Sequence, residues 1–527
     1  MKVLISDKVD PGCVEILERG GEITVDIHTG LCPEELLEVI GGYEGLIVRS
    51  ATQVTEEIIG RAERLRAIGR AGAGVDNIDV DAATRRGMVV MNTPGGNSVS
   101  TAEHTMAMLM ALARNVPQAT ASLKDGRWDR SKYIGVELAG KTIGVIGLGK
   151  VGGEVAQRAA GFRMSVLGYD PYLAEEAVHQ YGKLADLEQI WAEANFITVH
   201  MPLTPQTHNM INAETLAKCR EGVRILNCAR GGIVDEGALL DALNSGKVAG
   251  AALDVFEEEP PPADYKLLQH ENVIATPHLA ASTQEAQTSV ALQVADQVRE
   301  LLVGGVIRNA VNVPSLDPEV YQVLRPYLQL AEYLGRAQAQ LAEGQLERIT
   351  IEYRGVVAEQ PTSALTSAVL KGIMETIAAE GAVNFVNAPI LAQERGIGVE
   401  ELKSREPEDF ASLITVIYQT NQGPRVLSGT LFGKRDPRIV RLDEYELDAV
   451  PEGHMLFYVN NDIPGIIGRI GTIMGTHKVN IAQMSCGRQQ VGGRALTVLN
   501  IDSYVPDEVL EELLSDPHIL WARPVEL

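Results

Sequence analysis

"KTIGVIGLGKVG", residues 141–152, decides how this chain folds. An apolar, strand-like run leads into G-x-G-x-x-G, and a helical pattern follows. The glycine pattern alone is weak, because the chain has 51 glycines. Its context makes it specific: the next strand-like run, "SVLGYD", ends in Asp170, 18 residues past Gly152. Strand, glycine turn, helix, strand and terminal acid form the fingerprint of a dinucleotide site in a doubly wound sheet. Gly147 permits the tight turn, Gly149 admits a pyrophosphate to the backbone, and Gly152 lets helix and strand pack closely. The phosphates would meet the free N–H groups and positive dipole end of the helix. Asp170 would bind the adenosine ribose hydroxyls and repel a 2′-phosphate, which points to NAD over NADP.

Outward from this turn, both flanks alternate between strand and helix. Upstream, "KVLISD" (2–7), "ITVDIH" (23–28), "GLIVRS" (45–50), "LRAIGR" (65–70) and "VVMNTP" (89–94) read as buried strands, with helical patterns at 33–42 and 55–64. A long helix is expected over 101–116. Downstream, "FITVHMP" (196–202), "VRILNCA" (223–229), "GAALDVF" (250–256) and "NVIATPH" (272–278) continue the series, and a helix over 282–303 closes it. Such alternation implies parallel sheets covered on both faces. Two units of this kind leave a cleft between them, and clefts hold ligands. After a proline-bracketed linker at 304–319 the pattern changes. Residues 320–450 mix helices with strand-like runs, among them "RIVRLDEYEL" (438–447). The last 75 residues read β-α-β-β-α-β, the ferredoxin-like order.

The composition narrows the function. A chain of 527 residues exceeds one core, so about 3–4 domains are expected. The net charge of −24 argues against nucleic acid or an anionic membrane as partner. "MKVLISD" does not look like a signal peptide, and "MAMLMALA" (106–113) is far shorter than the ~20 residues that span a bilayer. The five cysteines show no metal spacing, and no metal is expected. Reduced thiols in a cytoplasmic protein are the plain reading.

The strand ends carry the chemistry. "ILNCARGGIVDE" (225–236) places Arg230 at the tip of one strand, before two glycines that let the chain turn without blocking the cleft. Asp254 and Glu259 follow the next strand, in "ALDVFEEEPP", and His278 ends the one after, in "ATPHLAAS". A single strand-end histidine is ordinary, and Glu257–Glu259 alone is a solvated acidic run. Arginine, acid and histidine at successive strand ends together suggest hydride transfer. A histidine takes the proton of a substrate hydroxyl, a glutamate fixes its tautomer, and an arginine holds the carboxylate.

At these residues the chain resembles the D-isomer-specific 2-hydroxyacid dehydrogenases, in the long form with a regulatory tail. "LIVRSAT", "GRAGAGVDNID", "MNTPGGNS", "GLGKVG", "NCARGGIVDEGAL", "ALDVFEEEPP" and "HENVIATPHLAAST" match family motifs in order, as does "GTLFGKRDPRIVRLD" in the tail. The resemblance implies an α/β fold class: two Rossmann-like domains, an α+β intervening domain and a ferredoxin-like ACT domain. It implies a substrate domain from 1–100 and 284–313, an NAD domain over 101–283, an intervening domain over 314–450 and the ACT domain over 453–527. Arg230, Glu259 and His278 would be the catalytic set. Lys150, Val151, Asp170, Cys228, Ala229, Asp254, Ala280 and Ala281 would line the NAD site, with Asp254 near the nicotinamide amide. Arg49, Arg70, Gly74 and Val75 would meet the substrate. The implied reaction is NAD-dependent oxidation of 3-phospho-D-glycerate to 3-phosphohydroxypyruvate, the first step of L-serine synthesis. Asn460, Asp462 and Asn480 match positions that hold L-serine as effector, and the family suggests a homo-oligomer, dimer or tetramer. "PHLAAS" and "KVG" depart from the usual "PHLGAS" and "RIG".

Both proposed ligands are anions, so positive charge must concentrate locally. Arg49, Arg70, Lys150 and Arg230 are expected in the cleft, and Arg130 and Lys132 are further candidates for the phosphate or simply exposed loop cations. Two rivals remain: another D-2-hydroxyacid dehydrogenase, such as a glyoxylate or hydroxypyruvate reductase, and a non-catalytic NAD-sensing interaction protein.

Overall fold

A computed structural model describes residues 1–174, 178, 180–314, 318–378 and 382–527. The first of its four sheets holds β1 (Lys2–Ile5), β2 (Thr24–Ile27), β3 (Gly45–Val48), β4 (Ala67–Arg70) and β5 (Val89–Met91) in the order β2-β1-β3-β4-β5. All pairs are parallel. The inner strands are continuous apolar runs because helices cover both faces. Leu36, Ile58 and Ile59 pack on one face, and Val290, Val294 and Val298 on the other. β3 stops at Val48, two residues before the expected end. Buried Asp7 draws the N–H groups of Arg49 (2.6 Å), Ala51 and Thr52 out of the ladder and into a turn.

The second sheet is also parallel. It holds β6 (Thr142–Ile146), β7 (Ser165–Tyr169), β8 (Lys183–Leu184), β9 (Phe196–Val199), β10 (Val223–Asn227), β11 (Val248–Leu253) and β12 (Val273–Ala275). Its order is β12-β11-β10-β9-β6-β7-β8. The winding reverses between β6 and β9, so a crevice opens beyond their carboxyl ends. The helix Ser98–Arg114, three residues earlier than expected at its start, packs here through Met106, Leu109 and Leu112. The helix Gln284–Arg299 returns to the first sheet and continues as one π turn, Glu300–Gly304, before Gly305 at φ +70°. The chain therefore passes between the two units just before Ser98 and just before Gln284.

The third sheet holds β13 (Leu346–Gly355), β14 (Gly398–Ser404), β15 (Ser412–Thr420), β16 (Gly423–Phe432), β17 (Asp436–Leu442) and β18 (Tyr445–Ala449). Its order is β14-β13-β15-β16-β17-β18, antiparallel except for β13 with β14. The run at 438–447 is not one strand. Asp443, at φ +51°, turns it into a hairpin, and its carboxylate accepts from Val426 N–H at 2.9 Å. The helices Pro318–Leu341 and Thr362–Ile377 cover this sheet. Of the expected linker at 304–319, Gly304 still belongs to the π turn, 315–317 lie outside the described residues, and Pro318 already begins the next helix.

The fourth sheet has the ferredoxin-like order β20-β21-β19-β22, with β19 (His454–Asn461), β20 (Ile481–Arg488), β21 (Arg494–Ile501) and β22 (Ile519–Glu526). Helices cover one face. The other face, with Met455, Phe457, Leu496 and Val498, belongs to the core of the preceding unit.

The tail is fastened to the first sheet. Val311 N–H donates to Val90 O at 2.8 Å, and the Asn312 side chain bonds Val90 N–H and Met88 O. Asn384 donates to Gly87 O at 2.8 Å, Asn387 to Arg85 O at 3.3 Å, and Val386 is buried in the first unit's core. Among the described residues no helix is long and apolar enough to cross a membrane.

A chain ending after Val313 should still fold and keep both parallel sheets. It should melt lower, because losing Val386 forfeits about 1.5–3 kcal/mol of burial. Circular dichroism and initial rates check this, and an unfolded or inactive product would mean that the tail completes the catalytic core.

Candidate active site

The carboxyl ends of both sheets face one cleft. A cavity of about 600 Å³ lies there, lined by Arg49, Arg70, Glu259, Pro277, His278 and Ala281 among others. A second cavity of about 420 Å³ continues past His278 toward Val151, Cys228, Ala229, Arg230 and Ala280.

Arg230 stands just beyond β10. Buried Asn227 folds the strand end into a turn: its amide donates to Arg230 O at 2.8 Å and its oxygen accepts from Ala229 N–H at 3.0 Å. Gly231 follows because a Cβ there would lie 1.8 Å from Phe256 O. Arg230 Nη1 donates to Ala229 O at 2.6 Å and Nε to Asp76 at 3.0 Å. Its Nη2 lies over Gly74, where a Cβ would come within 2.0 Å.

His278 has φ +52°, a left-handed conformation that costs a non-glycine residue about 1–3 kcal/mol. Asp254 sustains it. Its backbone O accepts His278 N–H at 2.9 Å, and its carboxylate accepts Leu279 N–H (2.7 Å), Ala280 N–H (2.9 Å) and the Thr276 hydroxyl (2.6 Å). His104 Nε2 lies 3.2 Å from the same carboxylate. Burial would raise the Asp254 pKa, yet these donors hold it below the ordinary carboxylate value. His278 Nδ1 meets Glu259 at 2.7 Å. A carboxylate only accepts, so Nδ1 carries the proton and Nε2 is the free base. Burial pushes Glu259 up, but bonds from His278 and Phe256 N–H hold it low and ionised.

The glycine turn fits a dinucleotide. Gly147 takes φ +91°, a Cβ on Gly152 would lie 1.8 Å from Gly147 O, and Gly149 faces open space at the start of the helix Lys150–Gly161. Asp170 stands at the end of β7 with one oxygen accepting Leu148 N–H at 3.0 Å. Cys228 is a buried wall residue whose thiol burial pushes up to about 12, so it stays neutral.

The structure gives several expected site residues partners within the chain. Asp254, expected beside the nicotinamide, is fully buried and engaged with the His278 loop. Lys150, expected on the cofactor, donates from Nζ to Pro94 O at 2.8 Å across the cleft. Arg130 and Lys132 do not line their own chain's cleft. Lys132 pairs with Glu271 at 3.3 Å, at the amino end of β12 and so on the far edge of the sheet. Arg49 and Arg70 do line it. Burial, then the charges of Arg230 and Arg49, pull Arg70 down to about 10, against Asp76 and Asp7. Gly74 and Val75 form the wall opposite Arg230.

The three tail residues are not together in one chain. Asp462 accepts from Arg488 (3.0 Å) and Gly492 N–H, and Asn460 is buried with its amide on Asn461 O. Asn480 bonds Asp502 at the opposite end of β21, roughly 20 Å away at ~3.3 Å per residue. Asp7, Asp76, Asn77 and His104 went unassigned in the sequence, although a polar residue just beyond β1 and the polar turn that follows β4 were the signal for the first three.

Comparison with known proteins adds independent findings. Residues 106–280 match the family "D-isomer specific 2-hydroxyacid dehydrogenase, NAD binding domain", 323–443 the "D-3-phosphoglycerate dehydrogenase intervening domain", and 454–518 the ACT domain. A Synechocystis D-3-phosphoglycerate dehydrogenase is 46% identical over 100% of this chain and 95% of its own. An Archaeoglobus fulgidus D-3-phosphoglycerate dehydrogenase is 44% identical over 100% of both. Among solved structures, an Aquifex aeolicus D-lactate dehydrogenase complexed with NAD and lactic acid is 28% identical with TM-score 0.53, over 60% of this chain and 100% of that one.

His278→Ala should lower kcat by ~10²–10⁴-fold with NAD binding nearly unchanged, read by initial rates beside cofactor titration. Near wild-type turnover would exclude His278 as the base. Asp254→Ala should strand the buried Ala280 N–H at about 1–3 kcal/mol, release the half-exposed Leu279 N–H at less cost, and lower both melting temperature and kcat. The Asp254 contribution is fully present above the unfolded carboxylate pKa and is lost as pH falls through its depressed value. The variant's stability deficit should therefore shrink in strong acid.

Proposed function

The chain belongs to the D-3-phosphoglycerate dehydrogenase family, and on that premise we propose that it oxidises 3-phospho-D-glycerate to 3-phosphohydroxypyruvate with NAD, the first step of L-serine synthesis. The observation that carries this reading is the His278–Glu259 pair at 2.7 Å, set in a cleft shared by Arg230, Arg49 and Arg70. Bound at the glycine turn between Gly147 and Gly152, NAD supplies the hydride acceptor. Arg230 holds the substrate carboxylate and polarises the C2 oxygen. His278 Nε2 takes the hydroxyl proton, and Glu259 keeps the ring oriented and stabilises the imidazolium that forms. Arg49 and Arg70 supply the charge that a phosphorylated acid needs.

The test is NADH formation by purified protein with a panel of 2-hydroxy acids, with and without a 3-phosphate. The proposal expects a kcat/KM preference for the phosphorylated acid. Equal or better turnover of unphosphorylated acids would favour a glyoxylate or hydroxypyruvate reductase. Binding of NAD without turnover of any acid would favour a non-catalytic sensor. The free thiols of all five cysteines support a reducing compartment, the cytoplasm.

The regulatory reading is narrower. An exposed apolar area around Met110, Val116, Leu123, Trp128, Ile134 and Phe162 supports a homo-oligomer. Asp462 and Asn480 lie at opposite ends of one sheet, which supports an L-serine site shared between the ACT domains of two copies. Asp462, with the turn N–H groups near Gly465, would take one copy's share, and Asn480 the other's. Serine must then prefer the less active state, with a coupling of ~1–3 kcal/mol or roughly 5–150-fold. Calorimetry of L-serine beside a rate titration should show binding and inhibition, both lost in Asp462→Ala and Asn480→Ala. Absence of both at millimolar serine would remove the effector and leave the enzyme.

A further inference from the structure

We propose that Asp76 is a positioning residue for this reaction: its carboxylate reaches across the cleft to Nε of Arg230 and sets the orientation in which that guanidinium receives the substrate carboxylate. The inference rests on the reading of Arg230 as the carboxylate's partner. Asp76 belongs to the turn after β4 on the first unit, and Arg230 to the turn after β10 on the second, 154 residues later. The contact is 3.0 Å between Nε and Oδ2.

The turn that carries Asp76 is well held. Asn77 donates to Arg49 O (3.1 Å) and Thr52 O (2.7 Å), and Asn92 to Ala73 O (2.5 Å). A fixed turn gives Asp76 a fixed address. Gly74 leaves room for the guanidinium beside it: a Cβ there would lie 2.0 Å from Arg230 Nη2 and 2.7 Å from Asp76 Oδ2. Asp76 takes Nε and Ala229 O takes Nη1, so the Nη2 donors remain for a ligand.

An anion is needed at this point. Arg49, Arg70 and Arg230 share the cleft, and Arg70 Nε is buried without a partner. Like charges push Arg230 outward, and Asp76 opposes that push. The Asp76 side chain is 70% exposed, so the pair is weak and solvent-screened. It orients Arg230 without locking the cleft.

The test uses the full chain with Asp76→Ala and Asp76→Asn, each alone and combined with Arg230→Lys. Asp76→Ala should raise KM for 3-phosphoglycerate about three- to fivefold, with KM for NAD and the melting temperature unchanged. Asp76→Asn should recover part of the loss, because its amide oxygen still accepts from Nε. On the Arg230→Lys background, which lacks the guanidinium fork, Asp76→Ala should add less than twofold. Oxalate binding to the enzyme–NADH complex, read by nicotinamide fluorescence, gives the same comparison without turnover. Failure of the activity reading would appear instead as an inactive wild type. The proposal is overturned if Asp76→Ala stays within twofold of wild type in both readouts, if the losses multiply in full on Arg230→Lys, or if the KM for NAD rises equally.

Discussion

One buried carboxylate organises the centre of this molecule. Asp254 ends β11 with no exposed surface and takes N–H and O–H groups from three residues of the segment after β12. An isolated charge at that depth would cost several kcal/mol and would protonate instead. Here four surrounding donors keep it ionised, including His104 from the helix Ser98–Arg114. The result is a rigid knot at a strand end. His278 holds its left-handed backbone because of it, and the imidazole can then meet Glu259 from a fixed direction. The His278–Glu259 pair is therefore set by a residue with no exposed surface of its own.

Charge is handled locally. The whole chain carries −24, which opposes two anionic ligands at long range. At physiological salt that field is screened beyond ~8 Å. Arg49, Arg70 and Arg230 lie within the cleft itself, so they dominate where a ligand arrives. Their mutual repulsion is visible in Arg70, whose pKa falls to about 10 through burial first and Arg230 next. Asp7 and Asp76 moderate it from either side.

Much of this could be read from residue order. The glycine turn, the alternating strands and the acid, arginine and histidine at strand ends are demanded by backbone and chemical constraints that act over a few residues. Parallel sheets then deliver those ends to one edge. What could not be read depends on distant partners. Asp254 and Lys150 have the right residue types near the right turns, but only the fold shows that one is sealed inside and the other spans to Pro94. Lys132 could be read as a phosphate ligand or as an exposed loop cation, and only the strand direction puts it with Glu271 on the far edge of its own sheet. Asn480 and Asp462 share a motif-rich domain, yet strand register separates them by the length of β21. The run at 438–447 read as one strand because nothing in its hydrophobicity reveals that Asp443 adopts a positive φ.

The asparagine pair at the joint has a mechanical meaning. Asn384 and Asn387 grip the turn at 85–87, and Val386 sits in the first unit's core, so the tail is clamped to the side of the cleft that bears Arg49 and Arg70. The dinucleotide-bearing unit is joined to that clamped body by the two chain crossings and by bridges such as Lys150 Nζ to Pro94 O and Arg230 Nε to Asp76. A signal arriving in the tail would thus reach first the jaw that bears Arg49 and Arg70, and the jaw that carries the glycine turn only through those crossings and bridges.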